Sequence, residues 1–143
     1  MTVAEIRSNI TYNENLIDQY TSQKRELERQ IGELYLLASK FAGLQSRFGD
    51  RQSQRQSKLS LFLSSGLQNK ILSRYYNGMS GLLGGADFNN AYNGLSDAKS
   101  KIHRKITELD QRIDECNNQI SYRRGRREYW LSQLAAATAE GAE

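Results

Sequence analysis

Residues 95–120 read LSDAKSKIHRKITELDQRIDECNNQI, and apolar side chains recur in them at alternating intervals of three and four residues. A seven-residue repeat with two apolar positions is the pattern of a coiled coil, in which helices pack against each other. The pattern continues in both directions over fifteen positions, of which twelve are apolar. They are Phe88, Tyr92, Leu95, Lys99, Ile102, Ile106, Leu109, Ile113, Cys116, Ile120, Arg123, Arg127, Trp130, Leu134 and Ala137. The pattern predicts a long second helix over about 87–138.

The first half of the chain carries the same repeat over fourteen positions, of which eleven are apolar. They are Val3, Ile6, Ile10, Asn13, Ile17, Tyr20, Lys24, Leu27, Ile31, Leu34, Ala38, Phe41, Gln45 and Phe48. This predicts a first helix over about 3–48. We call these two sets of positions the first seam and the second seam.

The segment between them, 49–86, has the apolar spacing of a further helix. The apolar residues recur every three or four positions at Leu59, Phe62, Leu63, Leu67, Ile71, Tyr75, Met79 and Leu83, and the chain contains no proline. Two arrangements fit this pattern: a short helix that folds back, which the pair Gly49-Asp50 favours weakly, or a first helix that runs on and extends the hairpin. Asp87, directly after Gly84-Gly85, is predicted to cap the second helix.

The polar interruptions of the two seams predict how the helices pair. In an antiparallel hairpin Asn13 would face Arg127, and Gln45 would face Lys99. This register also sets Lys24 opposite Cys116 and brings the carboxylates of Asp18 and Glu14 near Arg123 and Arg127 respectively. Pairing polar groups avoids burying them unpaired, which costs roughly 1–3 kcal/mol. We therefore predict an all-α fold, a long antiparallel hairpin in a single domain over 1–143.

Composition argues against several classes of protein. One histidine and one cysteine leave no nucleophile–base pair and no metal-ligand set, so we expect neither catalysis, nor a cofactor, nor a metal. The arginine-rich run 122–130 is interrupted by Glu128, and the net charge is only +4. We therefore expect a structural role for these arginines and no nucleic-acid binding. Neither a membrane span nor a signal peptide is apparent, which predicts a cytoplasmic protein without membrane insertion.

A short motif and its setting resemble a known family. Tyr76-Asn77-Gly78 lies between amphipathic segments and resembles the W-x-G turn of small helical hairpins handled by type VII secretion systems. Residues 84–92, Gly-Gly-Ala-Asp-Phe-Asn-Asn-Ala-Tyr, precede a long helix and are similar to the segment after that turn. The whole plan resembles the small α-helical proteins associated with LXG toxins.

This resemblance implies a non-catalytic partner that binds the helical N-terminal domain of an LXG toxin as a chaperone and targeting adaptor. The complex has room for a second small helical protein in this interpretation, the protein is either exported with the effector or retained, and the free protein is either a monomer or a homodimer. The residues expected to contact a partner are Tyr76, Gly78, Leu16, Leu37, Leu44, Phe88 and Tyr92. The alternatives are another coiled-coil chaperone or scaffold, either prefoldin-like with strands between its helices or an oligomeric spacer, and a nucleic-acid-binding helical protein.

Overall fold

The computed structural model describes residues 1–64 and 70–141, apart from the side chains at positions 62–64, 70–73, 76, 80 and 83. The described residues form three α-helices, α1 (Val3–Ser64), α2 (Lys70–Gly84) and α3 (Ala86–Gly141). No strand occurs in these ranges, and α1 and α3 pack against each other. The predicted all-α hairpin is confirmed. Several apolar positions of the middle segment, Leu67 among them, lie outside the described residues.

Helix α1 ends at Ser64, sixteen residues beyond the predicted end at about 48. The pair Gly49-Asp50 does not stop it, because a glycine inside a helix costs only about 1 kcal/mol and no proline follows. The residues that come next, 51–58, are arginine, glutamine, serine and lysine, most of which favour helices. Helix α3 extends to Gly141, close to the predicted end.

Helix α1 begins with a capping box that the seam pattern did not reveal. The Thr2 N–H donates to Glu5 Oε2 over 2.7 Å, and the Glu5 N–H donates to Thr2 Oγ1 over 3.1 Å. These two hydrogen bonds satisfy donors that the first turn of a helix leaves unpaired. The same contacts lower the pKa of the Glu5 carboxyl, with the backbone hydrogen bond to Thr2 as the largest cause. The spacing T-x-x-E is a sequence signal that predicts this start.

The junction between α2 and α3 is a single residue, Gly85. Its carbonyl accepts the N–H of Asn89 over 3.2 Å, which makes Gly85 the capping residue. A Cβ at Gly85 would lie 2.3 Å from the carbonyl oxygen of Gly81, so only glycine fits this close turn. The prediction that Asp87 caps the helix is wrong, because α3 begins at Ala86 and Asp87 lies within its first turn. A carboxylate there still interacts favourably with the helix dipole.

The contacts divide the chain into two compact units. The first comprises residues 1–33 and 106–143, where α1 and α3 run antiparallel. Its buried apolar residues all come from the two predicted seams. They are Ile6, Ile10, Ile17 and Leu27 of α1, and Ile106, Leu109, Cys116 and Ile120 of α3. Burial of these side chains is the main source of stability in this unit.

The second unit comprises residues 34–105, with the remainder of α1, all of α2 and the start of α3. Its buried apolar side chains are Ala38, Leu59 and Ile102, and Gln45 is buried with them. A Cβ at Gly84, the last residue of α2, would lie 3.9 Å from Gln56 Nε2 of α1. The end of α2 therefore lies beside α1 within this unit.

Candidate protein-binding surface

The second unit is organised around a buried glutamine. Gln45 is only 7% exposed, and its Oε1 accepts a hydrogen bond from Lys99 Nζ over 3.0 Å. Its Nε2 donates to the carbonyl of Tyr92 over 3.3 Å and to Ser96 Oγ. The predicted pairing of Gln45 with Lys99 is confirmed. Since every polar atom of the amide has a partner, this cluster fixes the register of α1 against α3 at this level.

An apolar groove lies beside this cluster. It has a volume of about 290 Å³ and is lined by Leu44 and Phe48 of α1 and by Ala91 and Leu95 of α3. The ring of Phe48 stacks on that of Phe88, with centroids 4.6 Å apart. We call this feature the Leu44 groove. It is an open apolar surface, because Leu44 remains 48% exposed and Phe48 38% exposed.

The groove continues along α1 through exposed apolar residues. Leu37 lies seven residues before Leu44, two turns away on the same face, and is 42% exposed. Leu44 and Phe48 are four residues apart, so the three side chains form a stripe beside the seam. A stripe of this kind outside the paired seam is available to a further helix.

The structure brings together four of the seven residues predicted to contact a partner. Leu37, Leu44, Phe88 and Tyr92 all belong to the second unit, near or along the Leu44 groove. Leu16 is half-buried in the first unit. The groove also uses Ala91, which sequence reasoning missed because a small residue gives little hydrophobic signal. Ala91 lies three residues after Phe88 and four before Leu95, and this spacing is the sequence signal that places it on the same helix face.

The Tyr76-Asn77-Gly78 motif lies inside α2. The motif therefore does not form the turn that the resemblance implies, and the helical spacing predicted for Tyr75 and Met79 agrees with the observed helix. A Cβ at Gly78 would meet no atom within 4 Å, so packing does not require glycine there. The side chain of Tyr76 lies outside the described residues. The second copy, Tyr92-Asn93-Gly94, is likewise helical, within α3.

The predicted partners of the seam arginines differ from those observed in the first unit. Arg123, one turn before the predicted Arg127, donates from Nη1 to Asn13 Oδ1 over 3.5 Å. Arg127 pairs with Glu128 at 3.2 Å. Neither pairs with Asp18 or Glu14 as predicted, because the guanidinium of Arg123 lies instead over the rings of Tyr12 and Tyr122.

Two donors in this arginine cluster have no partner among the described residues. They are the buried Nε atoms of Arg123 and Arg127. Arg126 lies over the rings of Tyr129 and Trp130, at 5.0 and 5.6 Å from their centroids. These stacked contacts support the structural interpretation of the run 122–130, since the aromatic faces are already occupied by arginines of the same chain.

A second groove, of about 860 Å³, lies in the first unit and is lined among others by Gln23, Gln30, Cys116 and Gln119. The thiol of Cys116 lies 4.0 Å from Gln23 Oε1. Polar and apolar groups contribute about equally to its lining. The Leu44 groove is smaller but almost entirely apolar, so a partner that covers it has few polar groups to desolvate.

An exposed ion-pair cluster on α1 borders the larger groove of the first unit. Arg29 donates to both carboxylate oxygens of Glu26, over 2.6 and 3.0 Å, and also pairs with Glu33. The hydrogen bonds from Arg29 lower the pKa of Glu26 to about 2. The two carboxylates in turn raise the pKa of Arg29. All three side chains are more than half exposed, so we assign them to a solvated helix surface.

Within residues 1–64 and 70–141, no three His, Cys, Asp or Glu side chains are grouped so that they could hold a metal ion. Over the same ranges, none of the helices combines the length and apolarity that crossing a bilayer requires. Comparison of the chain with protein-family models, with curated proteins and with solved structures finds no match.

Proposed function

We propose that this protein is a non-catalytic binding partner for a helix of another protein, and that it acts as a chaperone and targeting adaptor for an LXG toxin exported by type VII secretion. The observation that carries the proposal of partner binding is the Leu44 groove, an apolar surface on the second unit that none of the described residues covers. The choice of toxin rests on the resemblance of residues 76–92 and of the helical plan to the LXG-associated proteins. In this proposal the complex forms in the cytoplasm before export.

The groove is suited to a helix because its two walls come from two packed helices. Leu44 and Phe48 lie on α1, and Ala91 and Leu95 lie on α3. Leu37 extends the α1 side beyond the groove. An amphipathic helix binds such a surface through residues spaced by three and four positions. This mode of binding matches the helical N-terminal domain that LXG toxins are expected to present.

The magnitude of apolar burial indicates how large the interface must be. Fully burying a leucine or phenylalanine side chain contributes about 1.5–3 kcal/mol, so covering at most half of each of four such residues, Leu37, Leu44, Phe48 and Leu95, contributes at most roughly 3–6 kcal/mol. Association itself costs at least about 4 kcal/mol. A stable complex therefore needs more surface than the groove, and the exposed Leu61 and Leu82 of the second unit supply apolar area for it.

The alternative of a prefoldin-like protein is disfavoured by the middle of the chain. Such a protein would have strands between its helices, whereas the described residues of 49–86 are helical apart from the bend at Gly85. An oligomeric spacer would cover the groove with a second copy of the chain. Sedimentation of the free protein distinguishes this case from binding to a different partner.

The test is binding to the purified N-terminal helical domain of an LXG toxin from the same genome, measured by calorimetry. Leu44→Glu replaces the apolar side chain at the centre of the groove with a carboxylate that must lose its water when the groove is covered. We expect binding to weaken at least tenfold, which corresponds to about 1.4 kcal/mol. Leu36→Glu is the matched control. It makes the same change on the same helix at a residue that is 66% exposed and does not line the groove.

We expect Leu36→Glu to change affinity less than threefold and both variants to keep wild-type helicity. An equal loss of affinity in both variants would show that the Leu44 groove is not the binding site. Absence of binding by the wild-type protein to any such domain would refute the toxin assignment.

A further inference from the structure

The charges of α1 beside the Leu44 groove are arranged asymmetrically. Between residues 34 and 64 the helix carries five basic residues and one acid. The basic residues are Lys40, Arg47, Arg51, Arg55 and Lys58, and all five are exposed. None of them takes part in an ion pair with another described residue. We call this set the basic edge.

Helical spacing places the basic edge along the apolar stripe. Lys40 precedes Leu44 by four residues, Arg47 follows it by three and Arg51 by seven, which are the intervals of neighbours on one helix face. Asp50 follows Leu44 by six residues and therefore lies on another face. A helix rises about 1.5 Å per residue, so the stripe spans about 16 Å, the basic edge spans about 27 Å, and the two overlap over about 12 Å between Lys40 and Phe48.

The opposite wall of the groove is small and nearly uncharged. Ala91 lines the groove, and Gly94 follows it by three residues on an exposed part of α3. A Cβ at Gly94 would meet no atom within 4 Å, so space is open above it. The acids near this wall are Asp87, one turn before Ala91, and Asp97, three residues after Gly94, so carboxylates on the partner are expected to face α1 and not α3. A helix in the groove could thus approach α3 closely while one of its flanks faces the cations of α1.

We infer that the partner of the Leu44 groove is an amphipathic helix with acidic residues along the flank that faces the basic edge. This inference rests on the proposed function and adds the chemistry of the partner. Opposite charges at the rim of an apolar interface select the partner and its orientation and increase the rate of association. Cations that form no ion pair with a described residue, placed along and just beyond an apolar stripe, are complementary to carboxylates spaced by three and four residues.

A protein helix fits this surface better than two other polyanions. Helices that bind an anionic bilayer insert apolar side chains that project from one helix face. Leu44 and Phe48 instead line a groove between two helices. A duplex would use the cations and leave the apolar stripe exposed to water. Both remain as outcomes of the experiment, and either would overturn the inference.

The probes are two fluorescein-labelled helix-forming peptides of about 20 residues, long enough to follow the basic edge. They share one leucine stripe and carry glutamate or lysine at the flanking positions. Fluorescence anisotropy with the full chain should show tighter binding of the glutamate peptide. Each exposed ion pair contributes a factor of about 1.5–5 in affinity, so three pairs predict a preference of roughly 3- to 100-fold. The preference should shrink as salt is raised, because salt screens exposed charges.

The variant Lys40→Glu/Arg47→Glu/Arg51→Glu should abolish or reverse the preference between the two peptides. The control Arg25→Glu/Lys101→Glu/Arg104→Glu makes the same change in net charge at exposed residues away from the basic edge and should keep the preference. Circular dichroism checks that both variants are folded.

Equal binding of the two peptides, or equal effects of the two triple variants, would overturn the inference. Tighter binding to phosphatidylserine vesicles or to duplex DNA that depends on the basic edge would overturn it as well. Leu44→Glu separates this inference from the proposed function. If Leu44→Glu abolishes peptide binding and the charge reversal leaves the peptide preference unchanged, the groove stands and the acidic partner is refuted. If neither Leu44→Glu nor the charge reversal changes peptide binding, both proposals are refuted.

Discussion

Replacing both members of the Gln45–Lys99 pair should cost less stability than the sum of the two single replacements. The Gln45 amide is buried and accepts a hydrogen bond from the half-buried Lys99 ammonium over 3.0 Å. A hydrogen bond to a charged group contributes about 1.5–3 kcal/mol, and a buried polar group without a partner costs about 1–3 kcal/mol. Since Lys99 can move its ammonium towards solvent, we take the lower part of these ranges.

Gln45→Leu adds apolar burial but leaves Lys99 Nζ, Ser96 Oγ and the Tyr92 carbonyl without their amide partner. We expect a net destabilisation of about 1–2 kcal/mol. Lys99→Met leaves Gln45 Oε1 without its donor and should cost about 1 kcal/mol. In the double variant Ser96 Oγ and the Tyr92 carbonyl still lose the amide, but neither member of the pair is left without the other. Its stability should therefore be no lower than that of Gln45→Leu alone, and the coupling energy should be about 1 kcal/mol.

Urea unfolding followed by circular dichroism at 222 nm gives the four free energies of the double-mutant cycle. Gln54→Leu is the control, since it makes the same substitution at an exposed position of α1 and should not couple to Lys99→Met. If the single effects of Gln45→Leu and Lys99→Met add to within about 0.3–0.5 kcal/mol, the pair does not stabilise this register and the argument is refuted.

Three further predictions follow from the helices themselves. Arg127→Met removes the Nε donor that has no partner among the described residues, so it should stabilise the protein by about 1 kcal/mol and raise Tm by about 2–4 °C. Arg123→Met removes a hydrogen-bond partner of the buried Asn13 and should destabilise the protein. Thermal unfolding of the two variants tests the opposite signs. Gly125 lies in open space within α3, so Gly125→Ala should stabilise the protein by about 0.5–1 kcal/mol. Gly85→Ala should destabilise it by about 1–3 kcal/mol, because the added Cβ would clash with the carbonyl oxygen of Gly81. Urea unfolding measures both changes, and the opposite order would contradict this explanation. Carbon-detected NMR should show Glu26 titrating near pH 2. The stability that its ion pair contributes should be fully present above about pH 4.5 and should be lost as the pH falls through about 2. A titration midpoint near 4.5 would show that the pair does not form in solution.

The sequence determined the helices and their buried faces. Of the positions assigned to the seams, nearly all are buried or half-buried, because a repeat of seven residues keeps one face of a helix against its partner. Leu109, in the middle of the second seam, is almost completely buried. The pairing of Gln45 with Lys99 was also predictable, since two polar positions at matching depths exclude most other registers.

The tertiary structure decided what local patterns leave undetermined. The end of α1 has no strong sequence signal, because a single glycine costs too little to stop a helix that continues to bury residues such as Leu59. The partner of Asn13 depends on which turn of α3 lies opposite, and neighbouring turns present chemically identical arginines. The Leu44 groove needs Phe48 and Ala91 side by side, although 42 residues separate them in the sequence. Periodicity reports which side of a helix is apolar, but only packing between helices shows how much of that side stays open to a partner.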